Sequence, residues 1–224
     1  MAGGRRYGAP VLSTYPPLNL AVRTPRLTLA AATDDLLERL VPVVRAGVVI
    51  DSEPAPFDDP MSLYEDSPSR EWHWMRAIWA GRSRVDAAFW RLYFVICDDD
   101  EPVGMQDLIG TDFATVGTVT SFSWVTPAAR GRGLGKEARA AILHLAFEGF
   151  EAREASSEAF TDNHASNRVS EALGYTRNGT TWASRRGAVA ELLRWRLTRH
   201  EWTPRRRTDI ELSGVEECMP VLGL

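Results

Sequence analysis

The run Arg130-Gly131-Arg132-Gly133-Leu134-Gly135-Lys136 constrains this chain more than any other stretch. Three alternating glycines separate an apolar segment, Phe122-Ser123-Trp124-Val125, from a long amphipathic one, Lys136 to Phe150. A strand passing through a glycine turn into a helix is a general device for holding phosphate. The first helical N–H groups lack intrahelical partners, the dipole is positive there, and glycine lets an anion approach the backbone. Two familiar phosphate loops are excluded by spacing. A P-loop needs Gly-x-x-x-x-Gly-Lys-Ser/Thr, yet Arg130 stands five residues before Gly135 and Glu137 follows Lys136. The dinucleotide fingerprint Gly-x-Gly-x-x-Gly also fails, since neither Gly131 nor Gly133 has a glycine at the last position. What remains is Arg-x-x-Gly-x-Gly, with Arg130, Gly133 and Gly135 in the fixed places. On its own such a cluster is equally a flexible basic turn.

The flanks supply the context. Arg26 to Ala30 alternates as a short strand. Thr33 or Asp34 is suited to cap a helix running to about Ala46, which Pro42 should kink or split. Residues 51–69 are acidic and punctuated by proline, and too long for an idle connection, so they are expected to form an active-site wall. Ser69 is expected to cap a helix from Arg70 to Gly81 that carries Trp72, His73, Trp74 and Trp79. Strands are expected over Trp90–Cys97, Pro102–Gly110 and Thr118–Val125, with turns at 98–100 and 114–117. A helix from Gly135 to about Phe150 presents Ala138, Ala141, Ile142, Leu145 and Ala146 inward. A strand over Glu154–Phe160 leads to Asp162-Asn163-His164, which opens a helix ended by Gly174. Leu193, Trp195 and Leu197 alternate with Arg194 and Arg196 in a last strand. The order gives a mixed α/β (α+β) fold in which a parallel connection enters the sheet after the glycine turn. Residues 1–19 read as an arm, 20–202 as the domain and 203–224 as a tail that docks on the domain or crosses to a second subunit, making a homodimer possible.

Bulk properties narrow the function. A net charge of −4 argues against bulk nucleic-acid binding, and the cluster Arg205-Arg206-Arg207 is weak evidence for it. No stretch approaches the ~20 apolar residues of a membrane span. No signal peptide is expected, and Cys97 and Cys218, far apart in sequence, make neither a metal-ligand cluster nor a disulfide framework. These features point to a cytoplasmic protein without a metal.

Three motifs together resemble the GCN5-related N-acetyltransferase superfamily, and most the branch of the ribosomal-protein N-terminal acetyltransferases. They are Arg130-x-x-Gly133-x-Gly135; Asp162-Asn163-His164-Ala165-Ser166-Asn167-Arg168-Val169-Ser170 with Leu173-Gly174-Tyr175; and Arg23-Thr24-Pro25-Arg26-Leu27-Thr28-Leu29. They fall in the family's order over roughly residues 22–200. The resemblance implies a largely antiparallel sheet with a splayed central strand pair flanked by helices. It also implies acetyl-CoA, or another acyl-CoA, as co-substrate of an N-acyltransferase acting on a small-molecule or peptide amine. Arg130, Gly131, Arg132, Gly133, Leu134, Gly135 and Lys136 would hold the pyrophosphate. Main-chain groups at Trp124 and Val125 would meet the pantetheine and thioester, and Asn163 the cofactor arm. Ser166 would reach the thiol as proton donor, with Tyr175 the alternative. Plain N-capping by Asn163 and Ser166 is the competing reading. Trp72 and His73 stand as candidate substrate contacts, against simple packing. The pattern departs from the family at the base. Many relatives carry Glu in the strand before the loop, where Thr120 falls here, and Thr cannot serve. Asp107, Asp112, His73 and a water chain remain candidates. Two alternatives stay open: a succinyl- or other acyl-CoA transferase with an Arg holding the acyl carboxylate, and a non-catalytic acyl-CoA-binding module.

Overall fold

The computed structural model describes residues 13–49, 54–58 and 61–224. In chain order the elements are β1 (Ala21–Arg23), β2 (Leu27–Ala31), α1 (Asp34–Ala46), α2 (Ser69–Arg82), β3 (Phe89–Asp98), β4 (Glu101–Thr111), the single turn α3 (Phe113–Val116), β5 (Thr118–Thr120), β6 (Ser123–Val125), α4 (Leu134–His144), β7 (Glu154–Phe160), α5 (His164–Ala172), β8 (Thr176–Arg185), β9 (Ala188–Thr198), the short α6 (Arg199–Trp202), β10 (Glu211–Ser213) and α7 (Val215–Cys218). One sheet runs in the order β10-β1-β2-β3-β4-β5-β7-β9-β8, and β6 pairs with β4 beside β5. The β5–β7 pair is parallel, and the other pairs are antiparallel.

Alternation along β3 divides the core. Leu92, Phe94 and Ile96 pack with Leu134, Ala138, Ile142 and Phe147 on one face of the sheet. Tyr93, Val95 and Cys97 pack with Leu37, Leu40, Val44, Trp74 and Ile78 of α1 and α2 on the other. Because both faces are covered, β3 reads as a continuous apolar run rather than a half-wet strand.

Several expectations are corrected. Pro42 does not split α1: it sits on the exposed side of a continuous helix, and the carbonyl it leaves unbonded belongs to exposed Glu38. Ser69 is the first residue of α2 rather than its cap. The turn expected at 114–117 is the helical turn α3, closed by Gly117 in the left-handed region. The helix expected to reach Phe150 is α-helical only to His144 and continues as a π-turn, Leu145–Gly149.

The most consequential correction concerns Thr118–Val125, which is two three-residue strands rather than one. β5 pairs with both β4 and β7, whereas β6 pairs with β4 alone, so the sheet opens between β6 and β7. Side chains of β4 hold the break in place. Asp107 Oδ1 accepts the Phe122 N–H at 2.5 Å, and Gln106 Nε2 donates to the Phe122 carbonyl at 3.1 Å. Gly104 permits β6 to lie this close, because a Cβ there would strike the Trp124 carbonyl.

The C-terminal segment docks on its own domain. β10 pairs antiparallel with β1, and Cys218 and Leu222 are fully buried in the core. β8 was not expected at all. Its residues are nearly all exposed at the sheet edge, so no apolar period marks it.

Candidate functional site

A cavity of about 420 Å³ lies where the sheet opens, bounded by β6, the glycine loop, the start of α4 and the start of α5. The loop forms its upper wall. Pro127–Ala129 make one 3₁₀ turn, and Gly131 and Gly133 then take φ of +76° and +79°, values that side-chain-bearing residues rarely adopt. Gly133 stands at the N-cap of α4 and supplies no side-chain cap. The first helical bond runs from the Glu137 N–H to the Gly133 carbonyl at 3.1 Å, so the N–H groups of Leu134, Gly135 and Lys136 precede it. A Cβ added at Gly131 would meet nothing within 4 Å, and one at Gly135 only Val125 Cγ2 at 4.0 Å. The cradle is open and donor-rich, as an anionic phosphate group requires.

The loop is tied down from behind. Arg26 pairs with Glu137 and donates from Nη1 to the Arg132 carbonyl at 3.2 Å, while Thr24 Oγ1 donates to Glu137 at 2.5 Å. Burial pushes the Glu137 carboxyl up, but the Thr24 hydroxyl and the Arg26 guanidinium outweigh it and hold the group below its ordinary value. Arg130 donates to the Val48 carbonyl at 2.7 Å, and Arg132 pairs with Asp98 at 2.8 Å. These two arginines therefore brace the loop against the body. Lys136 lines the cavity and has no ion-pair partner among the described residues.

Trp124 and Val125 form the β6 wall, and Asn163 and Ser166 the opposite one. Asn163 caps α5 through Oδ1, which accepts the Ser166 N–H at 3.1 Å, while its Nδ2 donates to the Pro56 carbonyl at 3.1 Å. The capping reading of Asn163 thus holds alongside its place on the wall. Ser166 lines the same space, and its hydroxyl has no hydrogen bond among the described residues. Pro56 and Phe57 roof the cavity, Phe57 packing edge-on to Phe122 at 5.1 Å and tilted on Tyr64 at 5.4 Å. The β8–β9 turn fastens this roof: the Arg186 N–H donates to Asp58 Oδ1 at 2.6 Å and its guanidinium stacks over Tyr64. Of the acidic wall expected over 51–69, Asp51, Glu53 and Asp59 lie outside the described residues.

The remaining candidates lie elsewhere. Asp107 is buried, off the cavity wall, with one carboxylate oxygen on the Phe122 N–H and the other on Arg91 Nε at 2.6 Å. Burial raises its carboxyl pKa against the pull of Arg91. Tyr175 is buried behind the wall next to Arg139, and burial pushes its phenol up. Trp72 is 65% exposed on α2, and His73 bonds Glu65 at 2.6 Å; neither lines the cavity. His164 and Asp112 are exposed, and Thr120 ends β5 with its side chain in solvent. Cys97 and Cys218 are buried, their thiols pushed up to about 11 and about 12, and neither lines the cavity. Among the described residues no group of three His, Cys, Asp or Glu is placed to hold a metal.

Phe57 falls within the 51–69 wall and Ser123 within the Phe122–Val125 strand that the sequence pointed to, whereas Glu158 and, above all, Arg139 on the cavity wall were missed. The signal for Arg139 was present. It lies four residues after Gly135 and three before Ile142, which places it on the inward arc of α4.

An acetyltransferase (GNAT) domain family matches residues 26–176, about two thirds of the chain. The chain belongs to this family. It is accordingly an enzyme of the N-acetyltransferase type. Solved structures share the fold. The ribosomal L7/L12 alpha-N-protein acetyltransferase RimL, in complex with coenzyme A, matches with a TM-score of 0.61 at 17% identity, over 78% of this chain and 95% of that one. A GCN5-related N-acetyltransferase from Brucella melitensis matches at 0.64 and 17%, over 82% and 80%. Mutant forms of the spermidine/spermine N-acetyltransferase SpeG from Vibrio cholerae match at 0.60 and 13%, over 81% and 99%.

Proposed function

We propose that this GNAT enzyme transfers the acyl group of an acyl-CoA, acetyl in the simplest case, to a primary amine of a small molecule or a protein N-terminus. The observation that carries the reading is the juxtaposition of the open glycine cradle at 131–136 with the gap between β6 and β7. The backbone N–H groups of Leu134, Gly135 and Lys136, with the Lys136 ammonium, would take the pyrophosphate. By alternation from the Phe122 and Thr126 bonds to β4, the main chain of Trp124 faces β4, and the groups facing the gap, those of Ser123 and the Val125 N–H, would align the arm and polarise the acyl carbonyl.

When bound, acyl-CoA supplies an activated thioester: the amine nitrogen bonds to the acyl carbon, the C–S bond breaks, the amine loses a proton and the departing sulfur gains one. Ser166, on the wall with its hydroxyl unengaged, would give the proton to sulfur. The engaged carboxylate of Asp107 suits a positioning role, holding Phe122 and thereby the opening of the sheet. With both thiols buried and held protonated, direct transfer within a ternary complex is the route the residues support.

The test is initial-rate kinetics over a panel of amines and N-terminal peptides, read by release of CoA thiol. Intersecting double-reciprocal lines and a loss of at least about tenfold in kcat for Ser166→Ala are expected. Parallel lines, or a Ser166→Ala variant with unchanged turnover, would remove this mechanism. A second reading, an acyl group longer than acetyl and acidic, is favoured by one specific observation, Arg139.

A further inference from the structure

Arg139 leaves α4 toward the cavity and is 5% exposed. Its Nη1 donates to Ser157 Oγ at 3.1 Å and its Nη2 reaches Ser123 Oγ at 3.5 Å. Ser123 belongs to β6 and Ser157 to β7, the two strands that part to form the gap. The guanidinium thus spans the floor of the opening. Its Nε is buried and has no hydrogen-bond partner among the described residues. Among the described residues no carboxylate lies within ion-pair distance of it.

Serine hydroxyls satisfy N–H groups but do not neutralise charge, and arginine keeps its proton in proteins. An unpaired buried charge is costly to maintain. The nearby carboxylates are engaged by other arginines: Asp107, which also feels the Arg139 charge at a distance, is paired with Arg91, and Glu158, on the same wall, with Arg194 at 3.2 Å. The phenol of Tyr175 lies beside the guanidinium, where its oxygen can accept from it, but with its pKa raised by burial it is neutral and supplies no counter-charge. The site is therefore positive and, among the described residues, has neutral acceptors but no counter-ion within ion-pair distance. Arg139 also stands one helical turn beyond Gly135, about 6 Å deeper along α4 than the phosphate cradle. It is separate from the groups that would hold the pyrophosphate. A planar two-oxygen anion matches the guanidinium fork.

We propose that Arg139 is a carboxylate subsite for the acyl group, so that this enzyme takes an acyl chain ending in a carboxylate in preference to a neutral chain of the same length. The inference rests on the acyl-CoA reading above. The chemistry of transfer is unchanged, since the distal carboxylate is bound and takes no part in making or breaking bonds.

Isothermal titration without acceptor separates the two ideas, using succinyl-CoA and butyryl-CoA, which share a four-carbon acyl chain and differ at its end. The wild-type chain is expected to bind succinyl-CoA at least tenfold more tightly than butyryl-CoA. Arg139→Met is expected to erase that preference while holding butyryl-CoA affinity within about threefold. Equal affinities in the wild type overturn the proposal without reference to any variant, so a poorly folded Arg139→Met cannot shelter it. A preference that survives in Arg139→Met assigns the carboxylate to another cation and overturns it. Equal weakening of both ligands by Arg139→Met makes the residue only a brace between β6 and β7, and overturns it as well. Absence of binding by either ligand, and by acetyl-CoA, would instead remove the acyl-CoA reading beneath it.

Discussion

Asp107 shows how a residue chosen for chemistry can belong to architecture. Its two oxygens hold Arg91 and the Phe122 N–H, and it is 3% exposed. Asp107→Ala should lower stability by about 2 kcal/mol, because it leaves the Phe122 N–H without its acceptor and the half-buried Arg91 without its partner. Urea denaturation checks this, and an unchanged midpoint would refute it. A variant that still folds should also lose affinity for acetyl-CoA, since the β6 wall depends on the Phe122 bond. The sequence offered Asp107 as a carboxylate in a strand near the loop. Its engagement depended on Arg91, sixteen positions away and across a strand pair, which spacing does not reveal. Arg139 is the converse. Its inward position was legible from helical spacing, but its lack of a counter-ion among the described residues is a property of the packed neighbourhood and not of α4 alone.

At the scale of elements, the glycine loop is a junction between α4 and the turn before β2. Glu137, in the first turn of α4, receives Thr24 and Arg26, and Arg26 also reaches the Arg132 carbonyl. The Glu137 carboxyl is held below its ordinary value in the folded chain, so its contribution is fully present above the unfolded-state pKa near 4.5 and is lost as pH falls through the lower folded value. Glu137→Gln should therefore destabilise the protein at pH 7 and flatten the acid limb of its stability curve below about pH 4.5. Denaturant melts between pH 3 and 7 measure both effects. A Glu137→Gln profile parallel to the wild type would contradict the assignment. The elements flanking this junction were readable because their apolar periods are clean: β3 alternates between two packed faces, and α4 carries an inward stripe. β5 and β6 merged into one expected strand because the break between them is set by Gln106 and Asp107 on β4, not by any breaker residue at 121–122. β8 escaped notice for the opposite reason: an exposed edge strand has no face to bury and hence no period.

At the scale of the whole molecule, the chain closes on itself. β10 extends the sheet beyond β1, and the segment after it inserts Cys218 and Leu222 into the core shared with β2, β3 and α4. Ending the chain at Ile210 should cost at least about 3 kcal/mol, from the buried apolar side chains removed and the β1 edge exposed. Thermal melts of full-length and truncated protein give the comparison, and equal melting temperatures would show the tail to be dispensable. The same closed scaffold parts between β6 and β7, and the glycine cradle stands at the mouth of that opening. The central claim is that this opening is an acyl-CoA site. It is tested most directly by calorimetric titration of the wild-type chain with acetyl-CoA. The account predicts saturable binding of one molecule per chain with a dissociation constant of roughly 1–100 μM. No saturable heat up to about 1 mM would contradict it.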